Sequence, residues 1–239
     1  MNGKVVFYMN ENTPIFTGIY SLFEQFGSIN KIEKDRPIFH EGERSDEVYY
    51  VLEGSVRITK DTESGRIFTL KITNSQSILG ETSVFCETLY HSVSAHTIEP
   101  TKIVSLSRSQ LEKFLSTSPE LMMEWMKFIQ LNHLKNETRF RDLLLHGKKG
   151  ALFSTLVRLS NTYGIPKEDG SILIDHYLTN QELANLCATS REVVNRMLND
   201  IKKSRVISLN KGLITINDIN FLRKEIECDN CPLHICRID

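Results

Sequence analysis

The amino-acid sequence predicts an α+β chain: a β-roll or jelly-roll domain, then one long helix, then a small winged helix-turn-helix unit. Three observations predict it. Short runs rich in β-branched and aromatic residues fill the region from about residue 20 to 108, an apolar stripe at helical spacing follows Ser118-Pro119, and two helix starts stand ten residues apart at Thr179 and Thr189.

Composition sets the bounds. The 239 residues allow one large domain or two ordinary ones, and 40% hydrophobic with 25% charged residues is a globular balance that excludes disorder and fibre. No run of about 18 apolar residues exists to span a bilayer, and the opening MNGKVVFYMNENTPIF lacks the charged-then-apolar pattern of a secretory signal. A soluble, cytoplasmic protein without a membrane partner is expected. No nucleophile–base pair or phosphate loop rises above chance, so an enzyme is not expected.

In the first domain, taken as 1–117, VYYVL (48–52), SVRITK (55–60), IFTLKI (67–72) and TKIVSLS (101–107) read as strands, with Gly42, Gly54, Gly65 and Gly80 between and around them. Cys86 falls in a strand-like stretch and is expected to be buried. A short helix is read over 109–116. The long helix, 118–146, starts with Pro119 in its first turn, where the missing N–H costs nothing. Its stripe of Leu121, Met122, Trp125, Phe128 and Ile129, extended to Asn132, is read as a homodimer seam, the alternative being packing on the chain's own β-domain. Asn132 and Asn136 would weaken the second half of that seam.

His146-Gly147 reads as a helix stop and as the start of the DNA-binding unit, 147–226, whose first helix (Ala151–Tyr163) turns Leu152, Leu156, Val157 and Leu159 inward. TNQELANLCATSREVVNRMLNDIKK (179–203) carries two capping-box patterns, Thr179 with Glu182 and Thr189 with Glu192. Leu183, Cys187, Val194, Met197 and Leu198 would face inward, while Ala184 lets the helices cross closely. On the second helix Arg191, Glu192, Asn195, Arg196 and Asn199 share the outward face, and arginine and glutamate suit G·C pairs. Around them, residues 190–211 hold six basic and two acidic side chains on a chain of net charge -1, so Ser190, Lys202 and Lys203 join Thr179 as candidate DNA contacts. VISLNKGLITI (206–216) reads as a hairpin wing. The competing readings are a solvated helix face and a plain αα-hairpin.

The tail, 227–239, is the most distinctive segment. Cys228, Cys231 and Cys236 are spaced C-x2-C-x4-C in EIECDNCPLHICRID, a pattern that in a reducing compartment favours metal ligation over disulfides. An iron–sulfur cluster, usually held by four thiolates, would need one ligand from elsewhere; zinc could add His234, though His234 and Cys236 are closer in sequence than zinc spacing favours. Unliganded thiols are the third option.

Taken together, the β-roll, the long helix and the SREVVNRML segment resemble the CRP/FNR family of bacterial transcription regulators over nearly the whole chain, and the ECDNCPLHIC tail with RDLLLHGKKGAL (141–152) is similar to its oxygen-responsive branch with C-terminal cysteines. The resemblance implies a cyclic-nucleotide-binding-like first domain and a dimer on palindromic double-stranded DNA. It implies a TGTGA-type half-site read by Arg191, Glu192 and Arg196, with RNA polymerase as a partner. It also implies a 4Fe-4S cluster on Cys228, Cys231, Cys236 and Asp142. From the residues alone, Asp142 is odd: a carboxylate late in a helix opposes the macrodipole, and a salt bridge to Arg139 or Lys149 is the bland account. Where cyclic-nucleotide-binding relatives carry Arg-Ser after Gly-Glu, this chain has His91-Ser92 after Gly80-Glu81. Neutral imidazole lacks the permanent bidentate charge a cyclic phosphate needs, so no cAMP response is expected.

Overall fold

The computed structural model describes residues 16–63, 65, 67–87 and 89–239. The first described element is a helix where strands are expected, α1 (Thr17–Phe26). Its Ile19, Leu22 and Phe23 recur at helical spacing and are buried, so tertiary packing overrides the β-like aromatic content.

Eight strands follow: β1 (Ser28–Ile32), β2 (Pro37–Phe39), β3 (Glu47–Glu53), β4 (Val56–Asp61), β5 (Ile67–Thr73), β6 (Ser77–Leu79), β7 (Ser94–Thr97) and β8 (Thr101–Ser107). They form two antiparallel four-stranded sheets, β1-β8-β3-β6 and β2-β7-β4-β5. The twofold alternation of strands is visible in β3: Val48 and Tyr50 enter a core shared with α1, whereas Val51 enters the interior of the roll with Phe39, Val56, Ile58, Leu79 and Ala95. Cys86 lies outside these strands and is exposed, contrary to the sequence expectation.

Ser107 caps α2 (Arg108–Thr117) and Ser118 caps α3 (Pro119–Tyr163). The stripe read as a seam lies partly on the chain's own core. Trp125 and Phe128 are 4% and 7% exposed because they close the core under α1 and α2, with Phe128 edge-on to Phe16 at 5.5 Å. Leu121 and Met122 pack against the same core, and Asn132 is half-buried. Ile129 faces outward, and it shares that face with residues the sequence reading passed over: Met123, Met126, Phe140 and Leu144 are all exposed.

α3 breaks at Gly147, whose φ of 59° and ψ of −153° are non-helical. That backbone region is essentially reserved for glycine. At Gly150 a side chain is excluded by crowding, since a Cβ there would stand 2.2 Å from the His146 Cβ and 2.8 Å from the Asp142 carbonyl oxygen. The two glycines therefore let the second segment of α3 pack closely against the end of the first.

Beyond the break, residues 150 to 160 of α3 are buried without exception. They form one core with β10 (Ile172–Ile174), α4 (Asn180–Leu186), α5 (Arg191–Lys203), β11 (Ile207–Asn210), β12 (Leu213–Ile216) and α6 (Ile219–Glu225), with β9 (Gly164–Pro166) paired to β10 outside that core. The sheet order is β11-β12-β10-β9, and Lys211-Gly212 is the turn of the β11–β12 wing. This unit is docked on the β-domain: Ile72 of β5 belongs to its core, and Arg57 of β4 reaches Glu182 of α4 at 3.8 Å.

Gly147→Ala tests the break. No atom lies within 4 Å of the added Cβ, so the cost is backbone strain alone, roughly 1 to 3 kcal/mol. Thermal unfolding should show a midpoint lowered by several degrees, and an unchanged midpoint would mean that alanine accepts this backbone.

Candidate functional site

The nucleic-acid interface is built on α4 and α5. Thr179 and Glu182 form the reciprocal capping box expected from the sequence: the Thr179 N–H donates to the Glu182 carboxylate at 2.8 Å and the Glu182 N–H to Thr179 Oγ1 at 3.2 Å. The second box needs correcting by one residue. Ser190, not Thr189, caps α5 by accepting from the Val193 N–H, because Thr189 is drawn back to close α4, its N–H donating to the Ala184 carbonyl at 3.0 Å. Glu192 still serves this cap: a hydrogen bond from Ser190 holds its carboxyl below the usual range.

Val194, Leu198 and Ile201 anchor α5 to the core, leaving Arg191, Glu192, Asn195, Arg196 and Asn199 exposed together on the opposite face. Lys202 and Lys203 are exposed in the last turn, where the helix dipole favours cations. Asn180 Nδ2 donates to Asn195 Oδ1 at 3.1 Å, tying the recognition face to the start of α4. Cys187 is 1% exposed beneath this pair of helices; burial pushes its thiol up to about 12, which marks it as inert core.

The second site lies where the tail meets the α3 break. Asp142 is 2% exposed. Its carboxylate accepts from Arg141 Nε at 3.0 Å, from Arg158 Nη2 at 3.1 Å and from the Ser154 hydroxyl. The bland account of Asp142 is thus corrected in its partners: Lys149 pairs with Glu225, and Arg139 donates to backbone carbonyls. Arg158, 3% exposed, also donates to Ser154 Oγ, Thr138 Oγ1 and the Ile235 carbonyl, while Arg141 pairs with Asp229 between the tail cysteines. Arg158, Arg141 and Ser154 were missed in the sequence. A signal was present, because an arginine inside an otherwise buried helical run must have a carboxylate partner.

The three tail thiols gather beside these arginines. Hydrogen bonding with Cys231 and the nearby Arg158 charge hold Cys236 below the usual thiol range against the opposing effect of burial, while the same pairing and burial raise Cys231. Cys228 is close enough to Cys236 to oppose that shift. Cys236 itself is buried, and Cys228 and Cys231 are half-buried. His234 has its pKa lowered by burial and by Lys135. Among the described residues no three His, Cys, Asp or Glu side chains are already disposed as metal ligands. The donor set nonetheless suits a thiolate-bound cluster, because two guanidinium groups offset the charge of ionised sulfurs. Asp142 would have to release one of its present partners to ligate.

In the β-roll, a cavity of about 150 Å³ is lined by Gly80, Glu81, Lys71, His91, Ser92 and, from α3, Asn136 and Phe140. Lys71 pairs with Glu81 at 3.3 Å. His91 is stacked on Phe39 with ring centroids 3.8 Å apart, and burial lowers its pKa, so it is a neutral wall.

These two sites on this scaffold define a winged helix-turn-helix regulator carrying a cyclic-nucleotide-binding-type domain. Residues 29–118 match the cyclic nucleotide-binding domain family and residues 151–225 the Crp-like helix-turn-helix domain family. The chain is 44% identical over 231 residues to the anaerobic regulatory protein of Bacillus subtilis, covering 96% of this chain and 97% of that one. It is 28% identical over 193 residues to the global nitrogen regulator of a Nostoc species, covering 79% and 85% respectively. The solved structure of the c-di-GMP responsive global regulator CLP of Xanthomonas campestris shares its fold at a TM-score of 0.73 and 20% identity, covering 84% of this chain and 98% of that one. The chain belongs to the CRP/FNR family of transcription regulators. It is therefore a DNA-binding regulator of a family that works as dimers, not an enzyme. No helix among the described residues is long and apolar enough to cross a membrane.

Removing Arg158 should expose how much depends on the buried pair. Arg158→Met strands the Asp142 carboxylate in the core and should cost about 3 to 5 kcal/mol in the metal-free protein, measured by chemical unfolding. A loss under 1 kcal/mol would show that Arg141 and Ser154 suffice on their own.

Proposed function

We propose that this chain is an oxygen- or redox-responsive regulator of anaerobic metabolism that senses through a 4Fe-4S cluster and binds a TGTGA-type palindrome as a dimer. Cys228, Cys231 and Cys236 would hold the cluster, with Asp142 as its fourth ligand. The observation that carries this reading is the gathering of the three thiols beside Arg141 and Arg158, two of the residues that hold Asp142. The name of the Bacillus subtilis relative, an anaerobic regulatory protein, supports the same reading. When bound, such a cluster supplies a redox centre that oxygen can attack.

The chain's own residues make that site consequential for DNA. Asp142 ends the first segment of α3 and the cysteines follow α6, so ligands from both would join the dimer helix to the reading unit. Arg191, Glu192 and Arg196 read bases from the exposed face of α5, Asn195 lies between them, and Thr179, Ser190, Lys202 and Lys203 contact phosphates. Met123, Met126, Ile129, Phe140 and Leu144 supply the dimer face of α3. RNA polymerase is the downstream partner, and the site of action is the cytoplasm.

A second reading, sensing of a small molecule in the β-roll with a zinc-bound or ligand-free tail, is favoured by the cavity at Lys71 and Glu81. cAMP is not its ligand under this proposal, because His91 offers an aromatic face and no fixed positive charge.

Purification without air followed by iron and sulfide analysis separates the two readings. Wild-type protein should carry both elements and lose operator binding on exposure to air, whereas Cys228→Ser, Cys231→Ser and Cys236→Ser should retain neither. Full iron and sulfide in any of these variants would refute the assignment. Arg196→Ala should lose about 1 to 3 kcal/mol on the preferred operator and relax base preference at one position of each half-site. An equal loss on every sequence would reassign Arg196 to phosphate.

A further inference from the structure

Residues 235–239 do not trail from the cysteines; they are built into the joint between the two domains. Ile238 is 3% exposed and shares the core of the DNA-binding unit, and its N–H donates to Thr162 Oγ1 at 3.1 Å. Asn161 Nδ2 donates to the Cys236 carbonyl at 2.7 Å, and Arg237 Nη1 donates to the Asn161 carbonyl. These bonds fix the segment to the end of α3.

Its other side is held by the dimer helix and the β-domain. Arg139 donates to three carbonyls at once: Leu70 of β5 at 2.9 Å, Arg237 at 3.1 Å and Ile238 at 2.7 Å. Leu70 is available because β5 is an edge strand among the described residues, and Leu70 is the residue that a register shift leaves out of the pairing with β4. One turn before Arg139, Lys135 Nζ donates to the Asp239 carbonyl at 2.7 Å. Asn74, at the end of β5, closes the circle: its Nδ2 donates to Asp239 at 3.4 Å and its Oδ1 accepts from the Tyr163 hydroxyl at 3.2 Å. A planar guanidinium with its donors on two domains is a rigid joint, since its fork cannot follow one partner without losing another.

We infer that residues 235–239 are a strap, anchored by Arg139 and Lys135, that couples the position of Cys236 to the docking of the DNA-binding unit on β5. Arg139 and Lys135 are positioning residues in this device, and neither ligates the cluster. The coupling is covalent at one end, because Cys236 directly precedes Arg237, whose carbonyl Arg139 holds. At the other end it is a set of charge-assisted hydrogen bonds, each strong enough to bias two docked arrangements. A displacement of the Cys236 sulfur is thereby felt at the β-domain edge, without any contact between thiol and β5. The inference rests on the proposed cluster only for the signal; the strap itself is read from the contacts.

Arg139→Met and Lys135→Met test it, with three measurements on each full-length protein. These are iron and sulfide content, amide hydrogen exchange over 67–74 and 235–239, and operator affinity before and after air. Iron and sulfide should stay at wild-type levels. Exchange in both segments should quicken by about tenfold or more, and the ratio of the two operator affinities should shrink by about tenfold, as loss of one or two charge-assisted bonds dictates. Wild-type protection and a wild-type affinity ratio in either folded variant would overturn the strap, as would faster exchange with an unchanged ratio. Should Arg139→Met fail to fold, Lys135→Met decides alone. If the wild-type protein itself holds no iron or sulfide, the cluster reading fails separately; exchange then decides, with quickening at 67–74 supporting the strap and unchanged protection refuting it.

Discussion

A buried carboxylate organises the centre of this molecule. Asp142 lies late in the first segment of α3, where the helix dipole opposes its charge, and it is excluded from water. An isolated ion there would cost several kcal/mol, so its partners are obligatory. They are Arg141 from the adjacent position, and Ser154 and Arg158 from beyond the break at Gly147. The two segments of α3 are thus held at a fixed angle by one ion pair whose other donors reach the tail. Whatever competes for Asp142 competes with the angle between the two segments of α3.

The fold was largely legible in the sequence because its elements obey local rules. Strands β3, β4, β5 and β8 are rich in β-branched residues, and Gly147 and the Thr179 capping box punctuate helices by mechanisms that leave residue signatures. The failures were failures of context. α1 is rich in aromatic residues and reads as strand until one knows that Phe16, Ile19 and Phe23 meet Trp125 and Phe128 in one core. The apolar stripe on α3 shows a related limit, since periodicity reports that a face is apolar but not which neighbour covers it, and Trp125 and Phe128 are covered from within the chain. The cap of α5 moved from Thr189 to Ser190 because the Thr189 N–H had a competing acceptor in the α4 turn, a choice sequence spacing does not record.

At the candidate sites, exposed residues were easier to read than buried ones. Arg191, Glu192, Asn195 and Arg196 follow from helical geometry once Val194 and Leu198 are known to face inward. The cysteines announce themselves by spacing. The arginines that surround them do not, since Arg139, Arg141 and Arg158 belong to a single long helix and converge only after it folds back at Gly147.

That convergence sets the mechanical character of the protein. Under the proposed function two recognition helices meet half-sites about 34 Å apart, so a small rotation at a pivot would change their spacing far more than it changes anything at the pivot. The break is at Gly147, five residues beyond Asp142, and the Asp142 contacts with Arg141 and Arg158 join the segments on either side of it. A sensor placed at the recognition helices would have to oppose DNA contacts directly. Placed at the pivot, it needs only to shift a balance among hydrogen bonds that are each worth about 1.5 to 3 kcal/mol when charged, and the length of the lever supplies the rest.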